Sequence, residues 1–192
     1  MTIDPDSEVA KYDKLYRENP RYRMGDGRKE AIFNLLSEVQ TEDAGMLLDV
    51  GTGRGEGLKI AVECGYDPIG SDAAEYVCWD DGEDHGVVCC MAWEQPWSDQ
   101  NFWTVTCWDV LEHLPPDFVA PTLRELGRVC GHRLLVSAAA KPDLWDGVDL
   151  HISARPYPAW DALIRECLPE FEVKWRKDSP TGTSEVWEAI RK

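Results

Sequence analysis

The sequence has no long apolar run. No stretch of its 192 residues approaches the roughly 20 apolar residues that a membrane-spanning helix needs. Its start, MTIDPDSEVAKYDK, lacks the basic segment followed by an apolar segment that marks a secretory signal peptide. Both absences predict a cytoplasmic protein that has no part embedded in a membrane.

The seven cysteines also lack the spacing of a zinc site or a disulfide framework. Their number is odd, and no C-x-x-C pair occurs among them. Several stand inside apolar runs such as GVVCCM and TVTCW, where a free cysteine behaves as a small buried hydrophobe. We therefore expect reduced thiols, which agrees with a cytoplasmic location.

Positive charge is scarce, because 20 Lys and Arg residues face 36 Asp and Glu residues and give a net charge of −16. Such a protein repels the phosphate backbone, so nucleic acid is not expected as a partner. The basic residues concentrate near the start, between positions 11 and 29. This stretch has two interpretations: a solvated helix face, or the entrance to a binding site that attracts an anionic substrate. Its seven basic residues are Lys11, Lys14, Arg17, Arg21, Arg23, Arg28 and Lys29.

Short apolar segments alternate with segments of helical periodicity, without internal repeats or a low-complexity linker. This rhythm predicts one α/β domain with a Rossmann-like, doubly wound sheet of seven strands. The last two strands, with only DSPTG between them, are expected to form an antiparallel hairpin. Strands are predicted at 45–50, 67–72, 86–92, 102–110, 132–140, 170–177 and 183–192, and helices at 28–39, 56–65, 73–79, 115–130 and 157–167.

A glycine-rich loop, LLDVGTGRGEG at 47–57, follows the first predicted strand. The dinucleotide-binding pattern G-x-G-x-x-G does not fit, because Glu56 or Leu58 would stand at its third glycine. The residues instead read D-x-G-x-G-x-G from Asp49 to Gly55. A carboxylate beside the loop serves a pyrophosphate poorly, whereas it suits a ligand that carries an ammonium and a sulfonium.

These motifs resemble the class I S-adenosylmethionine (SAM)-dependent methyltransferases. The resemblance spans about residues 28–192 and includes an acid that ends the second strand, the DVLEHL segment, the L-x-E-L-x-R-V helix and the antiparallel final hairpin. It implies transfer of the SAM methyl group to a small-molecule acceptor, which leaves S-adenosylhomocysteine (SAH). It implies cofactor contacts from Asp49, Gly51, Thr52, Gly53, Gly55, Asp72, Ala73, Met91, Ala92, Trp93 and Trp108.

One position departs from the family pattern. After the third strand the family has an acid that accepts from the adenine amino group, and here Met91 stands in that place. Backbone groups near Ala92 and the faces of Met91 or Trp93 would then hold the adenine. The departure keeps two alternatives open: an inactive SAM-binding or SAH-binding or interaction protein, and an enzyme that performs another SAM-derived reaction.

Two of the four histidines are candidates for chemistry. His113 and His151 follow the fourth and fifth predicted strands, whose carboxyl ends face the ligand in such sheets, whereas His85 and His132 precede strands. Each candidate would act as a base or as a substrate contact. Asp109, Glu112 and His113 form D-x-x-E-H, which we expect to orient the loop without a metal; a divalent metal held by these three residues is the alternative.

The N-terminal residues 1–27 are predicted to form a cap over the domain at 28–192. Tyr12, Tyr16 and Tyr22 would either close over SAM as a lid or belong to a helix that is docked for stability. Arg21 and Arg23 are expected to contact the SAM carboxylate or an acidic group of the substrate. The sequence indicates no oligomeric state.

Overall fold

The computed structural model describes residues 4–39, 45–80, 86–177 and 184–192. Two helices, α1 (Pro5–Glu18) and α2 (Asp26–Leu36), precede the first strand. The following elements are β1 (Met46–Val50), α3 (Glu56–Glu63), β2 (Asp67–Asp72), β3 (Val87–Cys89), β4 (Phe102–Trp108), α4 (Pro116–Val129), β5 (Cys130–Ala139), β6 (Leu144–Trp145), β7 (Val148–Asp149), α5 (Tyr157–Cys167), β8 (Phe171–Trp175) and β9 (Ser184–Arg191).

Seven strands form one sheet in the order β3-β2-β1-β4-β5-β9-β8. β1 is parallel to β2 and to β4, whereas β9 is antiparallel to both β5 and β8. The prediction of a mostly parallel, doubly wound sheet with an antiparallel hairpin at its end is therefore confirmed. The chain runs outwards from β1 to β3 and then returns beside β1 as β4. This reversal opens a crevice at the carboxyl ends of β1 and β4, where open α/β sheets bind ligands.

Helices cover both faces of the sheet, because successive side chains of a buried strand point in opposite directions. Leu47 packs into a core with Ile32 of α2 and with residues of α3. Its neighbour Leu48 belongs to the larger core, which contains Leu123 of α4 and Trp160 of α5. The two cores fix the sheet from both sides and hold its carboxyl edge rigid.

Several predicted strands are shorter in the structure, and the differences fall at this carboxyl edge. β3 was predicted at 86–92 but ends at Cys89, so that Met91 to Trp93 form a loop. β4 ends at Trp108, because Asp109 has a positive φ of 53° that leaves the extended conformation. The helix predicted at 73–79 is a π-helical turn, Tyr76–Asp80. The connection DSPTG (178–182) and His85 lie outside the described residues.

A small hairpin, β6–β7, was not predicted. Its turn contains Asp146 and Gly147, both with positive φ, at 49° and 76°. The Asp-Gly pair between apolar residues is a strong hairpin signal, and the sequence carries it in LWDGVD. None of the described helices combines the length and apolar character needed to cross a membrane.

Candidate active site

The glycine-rich loop between β1 and α3 adopts a backbone that other residues rarely accept. Gly51, Gly53 and Gly55 have φ values of 71°, 53° and 69°. A Cβ on Gly51 would lie 2.3 Å from Val110 Cγ2, and one on Gly53 would lie 2.8 Å from the hydroxyl of Tyr16. The glycines therefore serve both the turn and the close approach of neighbouring groups.

Asp49 lies directly beneath this loop and is 2% exposed. The hydroxyls of Thr106 and Thr52 donate hydrogen bonds of 2.6 Å and 2.9 Å to its two carboxylate oxygens. Burial raises the pKa of Asp49 to about 6, despite these bonds. A Cβ on Gly57 would lie 2.7 Å from Asp49 Oδ2, so the fourth glycine of the motif makes room for this carboxylate.

Asp72 ends β2 and faces the loop from the other side. Its Oδ2 accepts a hydrogen bond of 2.9 Å from the amide of Gly53, and its Oδ1 accepts one of 2.9 Å from the amide of Ala74. Burial raises the pKa of Asp72, and these amides oppose that rise. The carboxylate is thus held at the rim of the crevice by two backbone donors.

A first cavity, of about 120 Å³, lies between this carboxylate and helix α1. Its floor contains the predicted adenine-side residues, and Trp93 packs on Phe118 with ring centroids 4.1 Å apart. Tyr12, Tyr16 and Tyr22 form part of its lining from above. The predicted residues that line it are Gly51, Asp72, Ala73, Met91, Ala92, Trp93 and His113.

A second cavity, of about 660 Å³, shares Gly51, Tyr16, Tyr22, Asp109 and His113 with the first. It extends from the glycine-rich loop towards the loop that follows β5. The predicted residues on its wall are Arg23, Gly51, Thr52, Gly53, Trp108, His113 and His151. Asp49, Gly55 and Arg21 line neither of these two cavities.

Asp109 is engaged by two partners. Arg28 forms an ion pair with its Oδ2, and the hydroxyl of Ser137 donates to its Oδ1. The Asp109 amide in turn donates to Ser137 Oγ at 2.9 Å. These bonds hold the backbone of Asp109 in its positive-φ conformation. They also keep its carboxylate paired with Arg28.

Glu112 and His113 occupy a short 3-10 turn after β4. Glu112 is fully buried, and its Oε1 accepts a hydrogen bond of 2.9 Å from the amide of Ala139. His113 Nδ1 lies 2.9 Å from the carbonyl of Leu150. Burial and, to a smaller extent, the neighbouring His151 lower the pKa of His113 to about 3. The imidazole of His113 is therefore neutral at physiological pH.

His151 stands against His113 at a ring-centroid distance of 4.6 Å. Its Nδ1 lies 2.5 Å from the carbonyl of Lys141. His132, by contrast, lies near the start of β5 and stacks on Trp103. The structure thus brings together the two histidines that the sequence favoured and keeps this third one apart.

Helix α1 is fastened to the sheet edge at several points. The hydroxyl of Tyr12 is 2.5 Å from His113 Nδ1, and Arg54 donates a hydrogen bond of 2.6 Å to the carbonyl of Tyr16. The amide of Tyr76 donates to Asp13 at 2.7 Å. These polar contacts join α1 to loops on both sides of the first cavity.

Comparison with known proteins decides the family. A family model described as "Methyltransferase domain" matches residues 16–169. The chain belongs to this methyltransferase-domain family. The resemblance stated from the sequence is therefore confirmed, and so is the prediction that the chain is a methyltransferase. No curated protein sequence matches it.

Solved structures of low sequence identity share the fold of this methyltransferase. One is the 1,6-didemethyltoxoflavin-N1-methyltransferase of Burkholderia thailandensis, with bound 1,6-didemethyltoxoflavin and SAH; it is 16% identical, with a TM-score of 0.73 over 100% of this chain and 92% of that one. A magnesium protoporphyrin IX methyltransferase of Synechocystis PCC 6803, with bound SAM, is 17% identical, with a TM-score of 0.69 over 99% and 98%. The [4+2]-cyclase SpnF is 16% identical, with a TM-score of 0.56 over 83% and 79%.

Sequence reasoning missed residues of this methyltransferase that reach the site from distant positions. Arg28 and Ser137 hold Asp109, and Lys141 and Ser184 line the second cavity. Arg28 was recognised only as one member of the basic stretch. The position of Arg28 at the start of α2, beside the carboxyl ends of the strands, was the signal that could have indicated its role at the site.

Proposed function

We propose that this chain transfers the methyl group of SAM to a small-molecule acceptor by in-line displacement. The observation that carries the proposal is the position of Asp72 and the glycine-rich loop at the crevice between β1 and β4. A bidentate carboxylate at the end of β2 suits the two hydroxyls of a ribose. The tight loop suits the close approach of the amino-acid end of SAM.

The first cavity would receive the adenosine part of SAM. Asp72 would accept both ribose hydroxyls, while Ala73, Met91, Ala92 and Trp93 would surround the adenine. Asp49 lies beneath the loop and would act on the SAM ammonium mainly through the loop geometry and its negative charge. Arg23, at the second cavity, would contact the SAM carboxylate, and Thr52 and Trp108 would border the methionine part.

Binding of SAM requires α1 to move. A cavity of about 120 Å³ is smaller than the roughly 300–1,000 Å³ of ordinary small-molecule sites. Tyr12 and Tyr16 occupy part of the space above Asp72 and Gly53. We therefore assign residues 1–27 to a lid that opens for the cofactor and closes over it, and residues 28–192 to the domain that carries the chemistry.

The second cavity would hold the acceptor, and its volume of about 660 Å³ suits a small organic molecule. Methyl transfer forms a bond between the acceptor and the methyl carbon and breaks the bond from that carbon to the sulfonium, which leaves neutral SAH. Where the acceptor nucleophile is protonated, its proton would pass to an imidazole. We assign this role to His151, which is partly exposed on the wall of the second cavity, because burial disfavours the charged form of His113.

The remaining predictions on partners and location belong to the same proposal. The second cavity is less acidic than the protein as a whole, whose net charge is −16, and this favours an anionic acceptor. Its lining has four cations against three acids: Arg23, Arg28, Arg54 and Lys141 against Glu56, Asp109 and Asp143. The same net charge disfavours nucleic acid. The seven free cysteines agree with a reducing compartment, and we propose the cytoplasm.

Calorimetric titration with SAH tests the cofactor assignment. Asp72→Ala removes a charged acceptor of two hydroxyls and is expected to weaken SAH binding by roughly 2–3 kcal/mol. Asp67→Ala, at the exposed opposite end of β2, is the matched control and should bind SAH like the unchanged protein. Equal SAH affinity in a folded Asp72→Ala protein would remove the ribose assignment.

A second experiment separates methyl transfer from the alternatives. The protein is incubated with SAM labelled in its methyl group and with an extract of small metabolites. Label is expected in a small organic product together with SAH. Tight SAH binding without any transferred label would instead favour a SAM-binding protein or another SAM-derived reaction, the alternatives suggested by Met91 and by the fold shared with a cyclase.

A further inference from the structure

Three potential metal ligands converge at the end of the second cavity. Glu112, His113 and His151 each offer one ligand atom, and these three atoms lie within 4.8 Å of one another. They come from two segments, the turn after β4 and the loop after β7. This set differs from the D-x-x-E-H trio, because Asp109 is held by Arg28 and Ser137.

A backbone carbonyl faces the Nδ1 atom of each imidazole: Leu150 O at His113 and Lys141 O at His151. A carbonyl only accepts hydrogen bonds, so the tautomer with hydrogen on Nδ1 satisfies both contacts and leaves the lone pair of each ring on Nε2. At His113 the hydroxyl of Tyr12, which donates to Leu150 O, also lies 2.5 Å from Nδ1. Histidine ligands of metal ions commonly donate their other ring N–H to a carbonyl or carboxylate.

Glu112 supplies an oxygen that needs a partner. Its Oε1 accepts from the amide of Ala139, whereas Oε2 is buried and has no hydrogen-bond partner among the described residues. A buried carboxylate oxygen without a partner is costly. A cation between this oxygen and the two imidazoles would satisfy it.

We propose that Glu112, His113 and His151 bind one divalent first-row metal ion of the zinc type. Two imidazoles and one carboxylate form a ligand set that suits zinc, iron or cobalt, whereas magnesium and calcium prefer oxygen ligands. Ligand atoms around a tetrahedral zinc ion lie roughly 3.4 Å apart. The ligand atoms must therefore approach by up to about 1–2 Å, and His151 is partly exposed on the loop after β7.

The use of such an ion rests on the proposed function. Held by Glu112, His113 and His151 beside the acceptor, such an ion would lower the pKa of an acceptor hydroxyl and favour its attack on the methyl group. The histidines would then hold the ion, and the proton-accepting role proposed above for His151 would not be needed.

Titration with Co²⁺ tests the site independently of turnover. The full chain is stripped with a chelator, Co²⁺ is added, and its visible absorption is followed; Mg²⁺ is the comparison ion. We expect one equivalent of Co²⁺ and at least tenfold weaker binding for His151→Gln and Glu112→Gln. Glu112→Gln keeps an oxygen that accepts from Ala139. Two variants should bind Co²⁺ normally: His132→Gln, which removes a histidine distant from the site, and Cys89→Ala, which tests a thiol as ligand.

The outcomes separate the metal site from the proposed function, because SAH binding is measured on the same samples. Unchanged Co²⁺ affinity in both site variants, or its loss in either control variant, would overturn the metal site. Binding of SAH without stoichiometric Co²⁺ would also overturn the metal site and leave the proposed function intact. Absence of SAH binding would contradict the proposed function, whatever the Co²⁺ result.

Discussion

Two buried acids, Asp49 and Glu112, and the partly buried Asp72 stand at the carboxyl edge of the sheet. Burial raises the pKa of each of them, because the protein interior removes water from the charged form. Hydroxyl or amide donors hold all three in place. Ionised carboxylates in such positions lower the stability of the fold, so their presence indicates a ligand role.

Asp49 allows this cost to be measured. Its pKa is about 6 in the folded protein, against 3.8 as the ordinary value. The folded state therefore binds the proton more tightly. The stabilising contribution of the protonated form is fully present below pH 4 and is lost as the pH rises through 6. At about 1.36 kcal/mol per pKa unit, ionisation of Asp49 costs roughly 2–3 kcal/mol at neutral pH.

We expect Asp49→Asn to raise the free energy of unfolding at pH 7.5 and to lose this advantage near pH 4. Urea denaturation of the variant and the unchanged protein at several pH values measures the difference. Asp67→Asn, on the exposed end of the same sheet, serves as the control. A difference that does not depend on pH would contradict the raised pKa of Asp49.

At the scale of elements, helix α1 is the main addition to the sheet and to the helices that cover it. Leu15 is fully buried, so one side of α1 is packed against the domain. The polar contacts of Tyr12, Asp13 and Tyr16 lie along the rim of the first cavity. The helix is thus docked on the domain beside the first cavity, as one of the two interpretations from the sequence has it; that it also acts as a lid over SAM stays a prediction.

Deletion of residues 1–24 is expected to leave the domain folded but to reduce methyl transfer sharply, because the roof of the cofactor site is lost. Circular dichroism checks the fold, and transfer from labelled SAM measures the activity. The milder variant Arg54→Ala removes one polar contact of α1 and should reduce transfer less than the deletion. A truncated protein that transfers methyl groups like the full chain would contradict the lid.

Elements with buried apolar runs could be predicted from the sequence, whereas their ends at the site could not. β2 has the predicted boundaries at 67–72, although Pro68 and Gly70 lie within it. β4 was predicted two residues too long, since nothing local reveals that Asp109 adopts a positive φ. That conformation depends on Arg28 and Ser137, which approach from α2 and β5.

At the scale of the whole molecule, the site also divides into residues that have a local sequence signal and residues that only the packing of the chain brings together. The D-x-G-x-G-x-G loop and Asp72 are local signals, which the family resemblance assigned to the same cofactor, and the structure joins them through the hydrogen bond from Gly53 to Asp72. The contact of His113 with His151 joins positions that are distant in sequence, and only the carboxyl-end rule suggested it. The carbonyls that face both imidazoles, and the unpaired buried oxygen of Glu112, depend on packing that no sequence motif encodes.

The choice between SAM and a dinucleotide is also a property of the whole site, and thermal unfolding tests it. A pyrophosphate would have to approach the start of α3, where Glu56 occupies the first turn and binds the amide of Met24 and the side chain of Lys29. Two carboxylates, Asp49 and Glu56, therefore oppose a phosphate at this loop. SAH at 100 times its dissociation constant should stabilise the fold by about 2.7 kcal/mol and raise the melting temperature by about 5–10 °C. NAD at the same concentration should leave the melting temperature unchanged, and a rise with NAD alone would contradict the assignment of the loop to SAM.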